Sequence, residues 1–445
     1  MGLLVFNGNS KFDVGLGTKV SGGGNGLVNV GGNLTLDGTL NVSDIGGFGS
    51  GVYRLMNYTG GLTDNGMLIG TVPGSVTPGD LTLQTALANQ INLLVSVPGV
   101  TVQFWDGNQQ VANGSVEGGS GTWGTGTTNW TDVNGTTNQA WTNNFAVFQG
   151  AAGTVTVNGA QTFTGMQFVT DGYTVVNGTA GQLTAVNGSG GTAALRVDPG
   201  VTATIDATIN GSGILNKLDA GTLVLTGANA YTGGTQLDGG KIIVGSDTAL
   251  GSGALTANAG TQLDSNAAKT LANAATLNGN LTVVGSNALT LHGVIDGTGG
   301  LIKNGSANLT LSGINTFSGG TTLNAGTLTL GTGASLGSGA LTVTGASTLD
   351  NAAPLMLVNN LNVNANLALT GNNNLTLDGV IAGAGTLTKN GAANLILGGN
   401  NVFLGPVALN AGGLVLASNS ALGSGTLNAA GGTTLDASTG ISLNN

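Results

Sequence analysis

The chain has 445 residues, of which 84 are Gly, while charged residues make up 6% and Cys is absent; Gly is thus far above its ordinary share of about 7%. An apolar content of 40% excludes a disordered chain, six Pro exclude collagen, and the absence of Cys excludes both a disulfide scaffold and a thiolate metal centre. The net charge of −10 arises from 19 acidic residues against 9 scattered basic ones, without the clustered basic face of a nucleic-acid binder or a polybasic membrane patch, so neither nucleic acid nor direct membrane insertion is expected.

The first residues, MGLLVFNGNSK, lack both a basic n-region and a full apolar h-region, so no signal peptide is visible, and Phe6 stands where a myristoylation signal needs Ser or Thr. Met1 reads as the start of a fragment. Residues 1–100 read as an N-terminal β-helix segment. Within it, Leu81 to Val95 is the one run that fits helix and strand alike, and Ile91 to Val97 is the longest apolar stretch. That stretch is far short of the ~18 residues a membrane helix needs. Residues 101–200 read as an irregular, Trp-rich β-helix segment. All four Trp fall here, with Phe104, Phe145 and Phe148 around them. Aromatic platforms can stack sugars, which makes Trp105, Trp123, Trp130 and Trp141 candidate glycan-binding residues. The competing reading is a locally thicker core.

From residue 201 onward the sequence repeats. LGSG occurs at Leu250, Leu336 and Leu422, a step of 86 residues. The same step relates Lys217, Lys303 and Lys389, and Asn229, Asn315 and Asn401, and the pairs beginning at Leu263, Leu349 and Leu435. Three units follow, 201–286, 287–372 and an incomplete 373–445. Inside each unit Leu alternates with small or polar residues for three to five positions and is then broken by Gly or Asn, the pattern of short strands and tight turns. An 86-residue unit divides into four coils of roughly 21 residues, a size suited to a three-sided parallel β-helix. The expected fold is therefore all-β, an elongated parallel β-helix (solenoid) of about 20 coils, with Leu223, Leu309 and Leu395 facing inward. No cap is visible at Asn445 and the third unit stops partway, so a continuation is expected.

Candidate chemistry is sparse. The single His, His292, has Asp206 and Asp378 as its repeat equivalents, so it reads as a surface polar residue. A G-x-S-x-G match centred on Ser335 has Ala249 and Ala421 as equivalents and precedes no helix, unlike a nucleophile elbow. There is one Glu, Glu117, and the Asp are dispersed; Asp264, Asp350 and Asp436 recur and read as turn residues rather than acid–base partners. No catalytic residue, metal site or cofactor is assigned, and the chain is expected not to be an enzyme. The rival is a glycan-binding or carbohydrate-active β-helix, which requires the Trp-rich segment to form an open groove with Asp106 or Asp132 beside it.

Gly211 to Gly245 (GSGILNKLDAGTLVLTGANAYTGGTQLDGGKIIVG) returns as Gly297 to Gly331 and, more loosely, as Gly383 to Ala417. These residues resemble the passenger-associated transport repeats of autotransporter passenger domains. Gly51 to Gly74 and the Trp-rich Gly121 to Trp141 resemble segments that precede such repeats in large bacterial autotransporters. The third copy departs at Pro406, where the others have Gly234 and Gly320. The resemblance implies a right-handed parallel β-helix exported through a C-terminal outer-membrane barrel that is not in this sequence, with repeat folding outside the cell assisting export. It implies a location at the surface of a Gram-negative bacterium or outside it. A non-enzymatic stalk displaying an adhesive or effector region is the expected role, with host or cell-surface glycans or self-association as further partners.

Overall fold

The structure is a computed structural model that describes residues 2–18, 26–188, 190–285, 287–438 and 440–443. Met1 and Asn445, where the sequence suggested a truncated start and an uncapped end, lie outside the described residues. The chain falls into two compact units, Met1–Ile242 and Ile243–Asn445. Both are built from short strands stacked in parallel, a β-solenoid, and Leu223, Leu309 and Leu395 are all buried as expected.

The first unit opens with wide coils. Lys11–Leu16 pairs in parallel with Thr39–Asp44, with Lys11 opposite Thr39, and Leu4–Val5 pairs with Leu34–Leu36, with Leu4 opposite Leu34. This stretch ends in an antiparallel sheet in which Gln90–Val95 lies between Gly51–Tyr58 and Leu81–Gln84. The ambiguous run from Leu81 to Val95 is therefore a hairpin. Its β-branched and Leu-rich second half, Ile91 to Val95, is buried throughout, which favours strand over a one-sided helix. Beyond it, Phe145–Phe148, Gly165–Phe168, Ala193–Val197 and Leu215–Leu218 stack in parallel on one face, and Thr154–Val157, Thr174–Asn177, Thr202–Ile205 and Thr222–Leu225 on another. Because the coils near the N-terminus are so wide, the chain makes fewer turns than the twenty expected from a single coil length.

The second unit is more regular. Down one face, Leu281, Leu301, Thr321, Leu341, Leu361 and Ile381 are successive register partners. Bonds from one coil to the next, such as Gly300 N–H to Asn280 Oδ1, span the same separation of 20. The coil is thus slightly shorter than the roughly 21 residues expected from dividing the repeat by four. Four such coils leave six residues of each repeat over. Six residues is the step between adjacent faces, as from Ala275–Leu277 to Leu281–Val283. Equivalent residues of successive repeats therefore do not stack. Leu309 sits in the column of Leu289 and Leu328, whereas Leu395 sits in the column of Leu375 and Leu414. Lys303 pairs between Val283 and Leu323, and Lys389 between Leu369 and Leu409. Each repeat is turned by one face relative to the last. One sequence can serve on any face because every face offers the same inward column of aliphatic side chains one strand spacing of ~4.8 Å below.

Two devices fix the corners. Gly297 and Gly383 adopt φ of 101° and 104°, and a Cβ at either would lie 2.3 Å and 2.2 Å from the carbonyl oxygens of Leu277 and Val363 in the coil below. Only Gly fits there. Asn315 and Asn401 lie where the strand ladder lapses. The Asn315 Oδ1 accepts from the Ile295 N–H at 2.8 Å and its Nδ2 donates to the Ser335 carbonyl at 2.6 Å, so one side chain bridges the coils before and after it. Asn401 does the same between Ile381 and Ala421. Asn315→Ala leaves a buried donor and a buried acceptor without partners. It is expected to lower stability by about 1–3 kcal/mol, read as a shift in urea midpoint; Asn315→Asp, which keeps one bond, should lose its effect on acidification.

Candidate functional site

The aromatic segment belongs to the first unit. Val102–Trp105 pairs antiparallel with Trp130–Thr131, which pairs with Asn138–Gln139, while Gly121–Trp123 joins the parallel ladder on Thr154–Val157. A coil widened by this insertion brings the four indoles together. Ring centroids are 5.2 Å apart for Trp105 and Trp130, 5.0 Å for Trp123 and Trp130, 5.1 Å for Trp123 and Trp141, and 4.4 Å for Trp130 and Trp141. Phe148 continues the cluster towards Phe168, stacked at 4.8 Å. Trp105, Trp123 and Trp130 are fully buried and Trp141 is 8% exposed. The rings occupy each other's faces, so none presents the open face that a sugar platform needs. The Trp105 and Trp141 N–H groups donate to the carbonyls of Gly119 and Thr162 at 2.8 Å.

The two carboxylates that a catalytic groove would use are also committed to the fold. Asp106 is 1% exposed, and its oxygens accept from the Glu117 N–H at 2.9 Å and the Asn138 Nδ2 at 3.0 Å. Burial raises its pKa, and these two bonds only partly oppose that. Asp132 closes a turn, accepting from the N–H groups of Asn134 and Thr136 and the hydroxyls of Thr136 and Thr137. Burial would raise its pKa, but these bonds outweigh burial and lower it.

The remaining candidates take structural places. His292 is exposed, with Nδ1 3.0 Å from the Ser312 hydroxyl one coil on. Ser335 is fully buried and donates to the Leu311 carbonyl at 2.7 Å, so it is not an exposed nucleophile. Asp264, Asp350 and Asp436 lie in the strands Thr261–Ser265, Ser347–Asn351 and Thr434–Ala437 rather than in turns. Each accepts from the N–H of the next residue at 2.7 or 2.8 Å, a local bond that a strand residue with an outward side chain can make. Among the described residues no group of three or more His, Asp or Glu is placed to hold a metal ion, and no helix is long and apolar enough to cross a membrane.

What the sequence did not single out is a set of buried charges. Lys217, Lys303 and Lys389 are 1%, 2% and 4% exposed. The Lys217 ammonium donates to the carbonyls of Leu218, Asp219 and Gly239, that of Lys303 to Gly305 and Ala325, and that of Lys389 to Gly391 and Ala411. Each lysine thus closes a corner from inside the core. Burial lowers all three pKa values, to about 7 for Lys217 and about 8 for Lys303. In the unfolded chain these groups return to the ordinary 10.5. Between those limits unfolding takes up protons, so the lysines' contribution to stability rises with pH from about 7 towards 10 and is flat below. The expected gain is about 1.4 kcal/mol per lysine for each pH unit over which only the folded form is deprotonated. Urea midpoints at pH 7 and pH 9.5 test this; a midpoint that falls over that interval would show the sign to be wrong.

Residues 215–244, 301–330 and 387–416 match the passenger-associated-transport-repeat family. The chain is also similar to the Adhesin BmaC autotransporter of Brucella suis biovar 1, with 43% identity over 233 residues, 48% of this chain and 6% of that protein. The chain therefore spans only a small part of that relative. No solved structure matches it. The three matched segments are the strands and corners that carry Lys217, Lys303 and Lys389 and the bridging Asn residues. Together the three repeats and the likeness to an autotransporter adhesin support an autotransporter passenger domain that carries passenger-associated transport repeats.

Proposed function

We propose that the chain is an adhesive passenger segment displayed at the surface of a Gram-negative bacterium, without catalytic activity of its own. In this reading it reaches the surface through a C-terminal outer-membrane barrel of the same polypeptide, and the folding of its coils helps to draw the chain outward. The adhesive part rests on the likeness to an adhesin autotransporter. The observation that carries the export part is the uniform short coil. Each coil of the second unit adds an inward Leu column to the one before, so apolar burial accrues coil by coil rather than only when the chain is complete. Burial of one Leu contributes roughly 1.5–3 kcal/mol, enough to make each added coil resist retreat.

The test uses the full-length gene in its host. Antibody against residues 301–330 is expected to label intact cells, and beads coated with the purified chain are expected to adhere to host-cell monolayers. Labelling seen only after permeabilisation would refute display. Leu309→Asn, which spoils one coil, is expected to cut the surface fraction several-fold while synthesis stays level; an unchanged surface fraction would separate export from folding.

A further inference from the structure

The first unit contains a groove of about 720 Å³, a volume in the range of small-molecule sites and, unlike the sealed Trp cluster, open to a ligand. One wall comes from the N-terminal coils and hairpin, with Phe48, Ser75, Val97 and Pro98; the other comes from later coils, with Phe145, Thr192, Asn216 and Asp238. Phe48 is half-buried and stacks on Tyr53 at 5.9 Å, and Phe145 is 3% exposed, so the apolar part is held rigidly.

The polar part is incomplete. Asn216 is 8% exposed, and its Nδ2 donates to the Asp238 carboxylate at 2.8 Å. Its Oδ1 is buried and has no hydrogen-bond partner. Exchanging the amide N and O offers no relief, because a carboxylate only accepts and must face the NH₂. The groove therefore presents an unmet acceptor next to a carboxylate that also accepts. Two adjacent acceptors, flanked by flat apolar side chains, suit a ligand that has adjacent hydroxyl donors on a ring with an apolar face.

We infer that this groove is a saccharide-binding site in which Asn216 Oδ1 and the Asp238 carboxylate accept hydrogen bonds from vicinal hydroxyls while the Phe48 and Pro98 side chains pack on the sugar's C–H face. An ammonium group is the poorer match. Arg196, itself a cation, also lines the groove, and much of the remaining lining is apolar. The site goes beyond the display role proposed above, and either can hold without the other.

The experiment screens the purified whole chain against an array of neutral and N-acetylated oligosaccharides and takes the strongest to calorimetry, with spermidine as the cationic probe. Specific binding of at least one oligosaccharide is expected. Asn216→Leu should weaken it about tenfold or more. Thr192→Trp, which fills the groove from a half-buried position, should abolish it, whereas Trp123→Phe should leave it unchanged. Should Asn216→Leu fail to fold, Thr192→Trp decides alone. The assignment is overturned if no oligosaccharide binds, if binding survives Thr192→Trp, or if spermidine binds more tightly than any sugar.

Discussion

Arg196→Met is expected to lower the stability of the first unit by about 3–5 kcal/mol, among the largest effects of any single substitution in the chain. Arg196 is 1% exposed and Asp219 is fully buried. The guanidinium meets the carboxylate with two bonds, Nε to Oδ2 at 2.9 Å and Nη2 to Oδ1 at 3.2 Å. It also donates to the Tyr53 hydroxyl at 2.7 Å and the Gly17 carbonyl at 3.2 Å, and lies 4.9 Å from the centroid of the Tyr53 ring. Burial by itself would lower the Arg196 pKa, but the Asp219 carboxylate and the Tyr53 phenol outweigh burial and raise it. Truncating one partner leaves Asp219 charged and enclosed, at a position where φ is 64° and the turn cannot readily swing it out. The bonds to Tyr53 and Gly17 tie the N-terminal coils to a coil that follows much later in the chain. Loss of the arginine should therefore loosen that contact as well. All four Trp lie in the first unit, so Trp fluorescence during urea unfolding of the whole chain reads this unit directly. A change below about 1 kcal/mol would mean that solvent reaches Asp219 on truncation and that the pair is dispensable.

Much of the fold was legible because a stacked coil imposes two simple rules on sequence, alternation within a strand and recurrence between coils. Leu309 and Leu395 could be placed inside from alternation alone. The same rule pointed to the lysines: in Leu301-Ile302-Lys303 and Leu387-Thr388-Lys389 the Lys stands two residues after an inward Leu, so it must also face inward. The recurrence from Leu250 to Leu336 and Leu422 was visible, but its division into coils was not. A sequence period does not say how many residues close one turn, and the extra six residues that turn each repeat by one face became measurable only from strand register. The tie from Arg196 to Tyr53 and Gly17 and the groove were out of reach for a different reason. Both join segments far apart in sequence, and neither Phe48 nor Asn216 stands in a pattern that names the other.

Trp130→Ala carries the other large expected effect, a loss of about 3–5 kcal/mol in the first unit, because it combines lost apolar burial with a cavity that the surroundings cannot fill. Trp130 is the hub of the cluster: its ring lies within 5.9 Å of those of Trp105, Trp123, Trp141 and Phe148. Its strand, Trp130–Thr131, is held between Val102–Trp105 and Asn138–Gln139, so collapse into the void would have to break backbone pairing on both sides. The Trp130 N–H is buried without an acceptor, so the native residue already bears a polar cost that Ala removes. That relief, about 1–3 kcal/mol at most, explains why the loss should not exceed the usual range despite full burial. Trp130→Phe separates the two contributions. It keeps most of the packing and removes the orphan donor, and is expected to cost under about 1.5 kcal/mol. A sugar platform predicts the reverse pattern, with Trp130→Ala nearly neutral for stability and damaging only to ligand binding. Urea unfolding of the two variants, read by the remaining Trp fluorescence for the first unit and by circular dichroism for the whole chain, distinguishes the two: a near-neutral Trp130→Ala would reopen the indoles as a recognition surface, whereas a large loss confined to the first unit fixes them as its core.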